Sequence, residues 1–98
     1  MRIMTLNVWA RHGDWPRRRK VLAAGLRALR PDLVAFQEVV RTADYDQVAD
    51  LLGSAYHVVH QHNGEADGTR AAIASRWPVG RVRQLRMPVT LSPRTILW

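Results

Sequence analysis

Glu38 is the residue whose type and position most directly suggest metal chemistry. It follows the unbroken apolar run at residues 33–36, a pattern that predicts a strand covered on both faces. A side chain just after such a strand lies at the carboxyl edge of the sheet, where open α/β folds commonly bind ligands. A carboxylate there is a hard oxygen ligand that suits Mg²⁺ or Mn²⁺. The alternative is a solvated glutamate at a strand end.

Asn7 is a second candidate because it interrupts an apolar run. Leu6 precedes it and Val8 follows it, in a segment that predicts a strand over residues 2–8. A buried amide without hydrogen-bond partners costs about 1–3 kcal/mol, so we expect a polar group close to Asn7. The alternative is a structural asparagine that caps the strand.

Two other sets of polar residues carry weaker signals. The histidines lack the i, i+4 helical spacing of a zinc motif and could at most join a loop site: His12, His57, His60 and His62. Four consecutive basic residues stand at the start of a predicted helix: Arg17, Arg18, Arg19 and Lys20. Positive charge is unfavourable at that end of the helix dipole, which suggests either an external anion or a solvated face.

The elements that would position Asn7 and Glu38 form a predicted βαβ unit. Between the two strands lies an amphipathic helix, with Asp14 or Trp15 as its cap and Pro31 as its stop. Its apolar face consists of Leu22, Leu26 and Leu29, with Val21 and Gly25 beside them. Strand, helix and strand in this order predict an α/β (α+β) fold.

The second half of the chain predicts a short helix and further strands. Asp44 and Gln47 stand in capping-box spacing before an apolar segment that Gly53 ends. Strands are predicted over residues 56–60 and 71–75, joined by a polar loop at 61–68. The last stretch is strand-like but irregular. Residues 96–98 begin a strand without a partner, which leads us to expect that the chain stops inside a domain.

Composition limits the class of protein. The chain has no cysteine, which excludes disulfides and thiolate zinc sites. The absence of a signal-like segment or a long apolar run predicts a cytoplasmic protein without stable membrane insertion. A net charge of +7 favours phosphate-bearing partners, nucleic acid above all. The alternative is compositional bias, because fourteen of the fifteen basic residues are arginine.

Three segments together resemble the first blocks of the endonuclease/exonuclease/phosphatase family, which includes DNase I-like nucleases, phospholipases and phosphatases. They are T-L-N-V-W from Thr5, D-L-V-A-F-Q-E-V from Asp32 and A-I-A-S-R-W-P-V from Ala72. The resemblance implies a partial domain over residues 1–98, namely the N-terminal half of a four-layer αββα sandwich. It also implies metal-dependent hydrolysis of phosphoester bonds.

The resemblance assigns roles to particular residues. Glu38 would bind Mg²⁺ or Mn²⁺. Asn7 would lie next to the metal as a second candidate ligand and would orient the phosphate. Ser75 and Arg76 would lie near the substrate, although such a pair more often just ends a strand. The family's His-and-Asp pair and its G-D-x-N-like and S-D-H-like blocks are absent from these 98 residues. The chain alone is therefore expected to be inactive.

Several alternatives stay open at this point. The chain could be a small basic module that binds nucleic acid through residues 17–20 without catalysis, or a degenerate reading frame. The substrate of the full enzyme could be nucleic acid, or a phospholipid headgroup held by Trp9, Trp15 and Trp77. The oligomeric state is not predicted.

Overall fold

A computed structural model describes residues 1–62, 64–82, 84–87 and 94–97 of the chain. Its helices and strands follow in the order β1 (Ile3–Asn7), α1 (Trp15–Leu29), β2 (Leu33–Val40), α2 (Gln47–Leu52), β3 (His57–His60), β4 (Thr69–Ser75), β5 (Gln84–Met87) and β6 (Arg94–Leu97). None of the helices in this part of the chain is long and apolar enough to cross a membrane.

The main sheet has four strands in the order β1-β2-β4-β3. β1 and β2 are parallel and are connected through α1, which confirms the predicted βαβ unit. β4 runs antiparallel to both of its neighbours, β2 and β3. The sheet is therefore mixed, and with two helices it gives the α+β fold that the sequence predicted.

The end of the chain differs from the expectation. β6 pairs antiparallel with β5, so the expectation that the last strand has no partner is wrong. Residues 84–87 supply that partner, which the irregular sequence pattern did not identify as a separate strand. Trp98, the last residue of the predicted strand, lies outside the described residues.

The core lies between the helices and one face of the sheet. Its largest fully buried apolar side chain is Phe36, and Val34 on the same strand is also buried. The remaining core residues come from both helices, from β4 and from the ends of strands: Val8, Leu26, Val39, Val48, Leu51, Ala72 and Ala74. The opposite face of β2 is only half-buried at Leu33 and Ala35, so the prediction of a strand covered on both faces is wrong.

Helix α1 begins and ends as the sequence predicted. The Asp14 side chain accepts a hydrogen bond from Arg17 N and caps the helix. Arg30, just before Pro31, adopts a left-handed conformation and ends it. The predicted apolar face is only partly right, because Val21 and Leu29 are exposed. Leu26 is the buried residue of this face and belongs to the core.

Helix α2 is capped by a residue that the sequence reasoning missed. The Asp46 side chain accepts from Ala49 N at 3.1 Å, so Asp46 and not Asp44 is the cap. Gly53 ends the helix as predicted. The proposed capping-box partner Gln47 is instead the first residue of the helix, and its side chain is buried.

Candidate active site at the end of the parallel strands

Glu38 lies at a β-bulge within β2. The pairing between β2 and β4 shifts between Phe36↔Ala72 and Val39↔Arg70, so two residues of β2 oppose a single residue of β4. Glu38 has a φ of 53°, in the left-handed region that side chains other than glycine adopt at a cost of about 1–2 kcal/mol. Bulges commonly redirect a side chain at a functional site. The expectation that Glu38 follows the strand is therefore wrong, since β2 continues to Val40.

Asn7 is in direct contact with Glu38. It is the last residue of β1, and its Nδ2 donates to Glu38 Oε2 at 2.5 Å. Its Oδ1 accepts from Trp9 N at 2.9 Å. These two partners fix the orientation of the amide, because the reverse orientation would place two oxygens against each other and two N–H groups against each other. Asn7 is exposed, which corrects the expectation that it is buried.

The loop after β1 is joined to the bulge by backbone hydrogen bonds. Val8 N donates to Gln37 O at 2.9 Å, and Ala10 N donates to Glu38 O at 2.7 Å. Trp9 and Ala10 have φ values of 58° and 48°, also in the left-handed region. Three of the four residues other than glycine that have positive φ in the described chain therefore surround the Asn7–Glu38 contact. Backbone strain of this kind persists only where the surroundings enforce it.

Arg18 stabilises this loop from the helix side. Its guanidinium donates to Val8 O at 2.8 Å and to His12 O at 3.0 Å. The guanidinium carbon also lies over the rings of Trp9 and Trp15, at 5.4 Å and 5.3 Å from their centroids. Its donors are therefore directed to the protein's own backbone. This finding weakens the suggestion that residues 17–20 bind an external anion together.

Arg19, from the same basic run, is also engaged within the fold. Its Nη2 lies 2.7 Å from Asp50 Oδ1. The Arg19 guanidinium holds the pKa of Asp50 below its ordinary value. Asp50 accepts a further hydrogen bond from the Tyr45 hydroxyl, whose pKa burial raises to about 12. The pair therefore fastens α1 to α2.

An open cleft of about 290 Å³ adjoins Glu38. Gln37, which belongs to the family-like segment from Asp32, lines it, together with residues that the sequence reasoning did not single out: Glu65, Thr69 and Arg70. Arg70 organises the β3–β4 loop, because its guanidinium donates to Gln61 O and to Gly68 O. An arginine at the start of an otherwise apolar strand was the available signal. The cleft places a substrate-sized space beside the Glu38 carboxylate.

Ser75 and Arg76 are not brought to this site. Ser75 pairs with Leu33 at the beginning of β2, five residues from Glu38 along the strand, or roughly 17 Å at about 3.3 Å per residue. Its Oγ accepts from Trp77 N, and Arg76 Nη1 lies 3.8 Å from Asp32 Oδ1. A pocket of about 240 Å³ near Arg76 lies at this opposite end of the sheet, and none of the described residues that line it carries a carboxylate.

The histidines do not form a metal site either. His60 is largely buried, and its Nε2 lies 3.3 Å from Asp46 Oδ2. That contact lacks hydrogen-bond geometry, so neither ring nitrogen has a hydrogen-bond partner within the described residues. Burial lowers the pKa of His60. His57 is an exposed residue of the same strand, and His12 packs against the Trp9 ring.

The chemistry available at the site is that of one oriented carboxylate. Among the residues that the structure describes, no three His, Asp or Glu side chains gather into a metal-binding group. Mg²⁺ often binds proteins through one or two carboxylates and keeps its other ligands as water. The exposed Glu38 carboxylate beside an open cleft fits such a partial site. Asn7 donates its side-chain N–H to Glu38. In this geometry Asn7 orients the candidate metal ligand Glu38.

A family model described as "Endonuclease/Exonuclease/phosphatase family" matches residues 4–96 of the 98-residue chain. No curated protein matches the chain. The matched range includes Asn7, Glu38 and all of the four-stranded sheet except Ile3, the first residue of β1.

Proposed function

The chain belongs to the endonuclease/exonuclease/phosphatase family, and we propose that its Asn7 and Glu38 form one part of a metal-dependent phosphoesterase site. Members of this family are hydrolases of phosphoester bonds and generally depend on a divalent metal. The observation that carries this proposal is the Asn7–Glu38 hydrogen bond at the bulge. It joins Asn7 and Glu38, the two candidate site residues of the family-like segments, where the parallel pairing of β1 with β2 ends. Residues 1–98 would then be a partial domain.

In this proposal Glu38 holds Mg²⁺ or Mn²⁺, and Asn7 holds Glu38. When bound, the metal would neutralise charge on the substrate phosphate. The Asn7 amide fixes one carboxylate oxygen of Glu38 by hydrogen bonding, and Glu38 lines the cleft. This role differs from that of a direct metal ligand, which the sequence had also suggested for Asn7. A neutral amide suits a crowded anionic site because it adds no negative charge.

The substrate class rests on charge and on the cleft. A net charge of +7 attracts phosphate-bearing molecules in general. Trp9 and Trp77 are exposed, whereas Trp15 packs against the core and beneath Arg18. The proposed tryptophan set for a lipid headgroup therefore loses one member, and nucleic acid is the favoured substrate. Ser75 and Arg76, at the other end of the sheet, are not included in the proposed substrate site.

The role of Glu38 can be tested by titrating the chain with Mn²⁺ and following the free ion by electron paramagnetic resonance. We expect weak binding to the wild type and a loss of roughly tenfold or more in Glu38→Gln, about 1.4 kcal/mol. Asn7→Ala should weaken binding by about tenfold, as removal of a residue that orients a metal ligand commonly does. Glu65→Gln is the matched control, because Glu65 is an exposed carboxylate that lines the same cleft.

The outcomes separate the proposal from its rivals. Unchanged Mn²⁺ affinity in Glu38→Gln would remove Glu38 from the metal site. Equal losses in Glu38→Gln and Glu65→Gln would indicate nonspecific attraction of the ion to the cleft. A chain that binds DNA with steep salt dependence and no response to Mg²⁺ would favour the basic binding module.

A further inference from the structure

Gln47 is a fully buried polar side chain that joins two segments of the candidate site. Its Nε2 donates to Ala10 O at 2.7 Å, in the loop that follows Asn7. Its Oε1 accepts from Val40 N at 2.9 Å, on the strand that carries Glu38. A glutamine in the first turn of a helix ordinarily faces solvent. Gln47 is completely buried, and both the nitrogen and the oxygen of its amide form hydrogen bonds, which indicates a specific structural role.

The contacts of Gln47 complete a ring of hydrogen bonds around the bulge. Ala10 uses its carbonyl for Gln47 and its N–H for Glu38 O. Val40, two residues after Glu38, closes the ring through its N–H. A single side chain therefore fixes the loop of Asn7 against the strand of Glu38. The left-handed residues Ala10 and Glu38 both lie within this ring.

We propose that Gln47 is a positioning residue that sets the geometry between Asn7 and Glu38. Without its amide, Val40 N would lose its partner inside the protein, which a buried donor does not tolerate well. Among the described residues, Ala10 O would keep only the contact from Arg18 Nη2 at 3.3 Å. The strained loop and the bulge would then relax toward ordinary backbone conformations, and the Asn7–Glu38 hydrogen bond would be lost. The consequence for metal binding rests on the proposed function of Glu38.

Gln47→Met in the full 98-residue chain is the test variant, since methionine keeps the length of the side chain and removes both hydrogen-bonding groups. Leu51→Ala is the control, because Leu51 is a buried residue of the same helix that makes no hydrogen bond to the site. It destabilises the core without touching the ring. Gln47→Glu is a second variant, whose protonated form can still donate to Ala10 O and accept from Val40 N.

The primary measurement is nuclear magnetic resonance without metal. In Gln47→Met we expect the Asn7 side-chain amide resonances to move. Hydrogen exchange at Ala10 N–H should rise at least tenfold relative to the backbone amides of β1. Leu51→Ala should change both far less at equal loss of global stability. Gln47→Glu, at a pH where its buried carboxyl is protonated, should restore the Asn7 signal and the protection of Ala10 even if Gln47→Met does not fold.

A second measurement is the Mn²⁺ titration of the same variants. Gln47→Met should bind Mn²⁺ several-fold more weakly than Leu51→Ala. Unchanged Asn7 resonances and unchanged Ala10 exchange in Gln47→Met would overturn the inference. If Gln47→Met is unfolded, the inference is overturned when Gln47→Glu lacks the wild-type Asn7 signal and the protection of Ala10 N–H. If Glu38→Gln does not affect Mn²⁺ binding to the wild type, the proposed function fails, while the metal-free resonances still decide the role of Gln47.

Discussion

Asn7 and Glu38 are 31 residues apart in sequence, yet one hydrogen bond of 2.5 Å joins their side chains. Asn7 is in register with Gln37, so the next residue of a regular β2 would point to the opposite face of the sheet. The bulge at Glu38 removes this obstacle, because it turns the carboxylate to the side on which Asn7 lies. The site therefore depends on a backbone irregularity as much as on the two residue types.

Glycine normally makes a strand less stable than alanine does, and the left-handed backbone at Glu38 predicts the reverse order at this position. Glu38→Gly should be more stable than Glu38→Ala by about 1 kcal/mol, because only glycine adopts a φ of 53° without steric cost. Urea unfolding of the two variants measures the difference. In a regular strand the alanine variant would be the more stable one by about 0.5–1 kcal/mol. That order would argue against the bulge.

The burial of Phe36 predicts a large loss of stability on truncation. Phe36 is 1% exposed at the centre of the core, so Phe36→Ala should cost about 3–5 kcal/mol in the free energy of unfolding. Ile3→Ala is the matched control, because Ile3 lies on the neighbouring strand and is 72% exposed. Its cost should stay within about 0.5 kcal/mol. Chemical unfolding compares them, and similar costs would contradict the one-sided burial of the sheet.

Local sequence patterns predicted much of the fold. The apolar spacing in α1, the Pro31 stop and the Gly53 stop are local signals, and each marks an element that the structure contains. The parallel pairing of β1 and β2 followed from the order of strand, helix and strand. The sequence also predicted a polar partner near Asn7, although it predicted that Asn7 is buried and the structure shows it exposed.

The geometry of the site could not be predicted in the same way. The bulge has no glycine or other local signature in the sequence, and only the register of β2 against β4 shows where it lies. The inward turn of Gln47 depends on Ala10, 37 residues away. Arg18 was one of four basic residues with the same local pattern, and only tertiary contacts distinguish it. Long-range packing decides these features.

Burial of His60 predicts a stability that falls on acidification. The pKa of His60 is lowered in the folded protein from its ordinary value of 6.5. The unfolded chain therefore binds the proton more readily, and stability is lost as the pH falls through about 6.5 toward the folded pKa. His60→Gln should lose less stability between pH 7.5 and 5.5 than the wild type. His57→Gln, on the same strand but exposed, should behave like the wild type.

Urea midpoints at the two pH values provide the comparison. Asp46 lies 3.3 Å from His60 and favours the protonated ring, so it opposes the effect of burial. Asp46→Asn should therefore make the loss of stability on acidification steeper. A pH dependence in His60→Gln equal to that of His57→Gln would show that His60 does not titrate differently in the folded and unfolded chains.

The last prediction is that the 98 residues alone show no measurable phosphoesterase activity. An extended protein that adds the family's His-and-Asp pair and its G-D-x-N-like and S-D-H-like blocks should be active. Catalytic groups that act together are strongly non-additive, so one carboxylate and one amide should not retain a proportional share of the rate. Asn7→Ala and Glu38→Ala should each abolish activity in the extended protein. Mg²⁺-dependent hydrolysis of plasmid DNA and of a generic phosphodiester is the assay, with Glu38→Ala purified in parallel to reveal contaminating nuclease. Turnover by the 98 residues that disappears in Glu38→Ala would show that these residues suffice for catalysis.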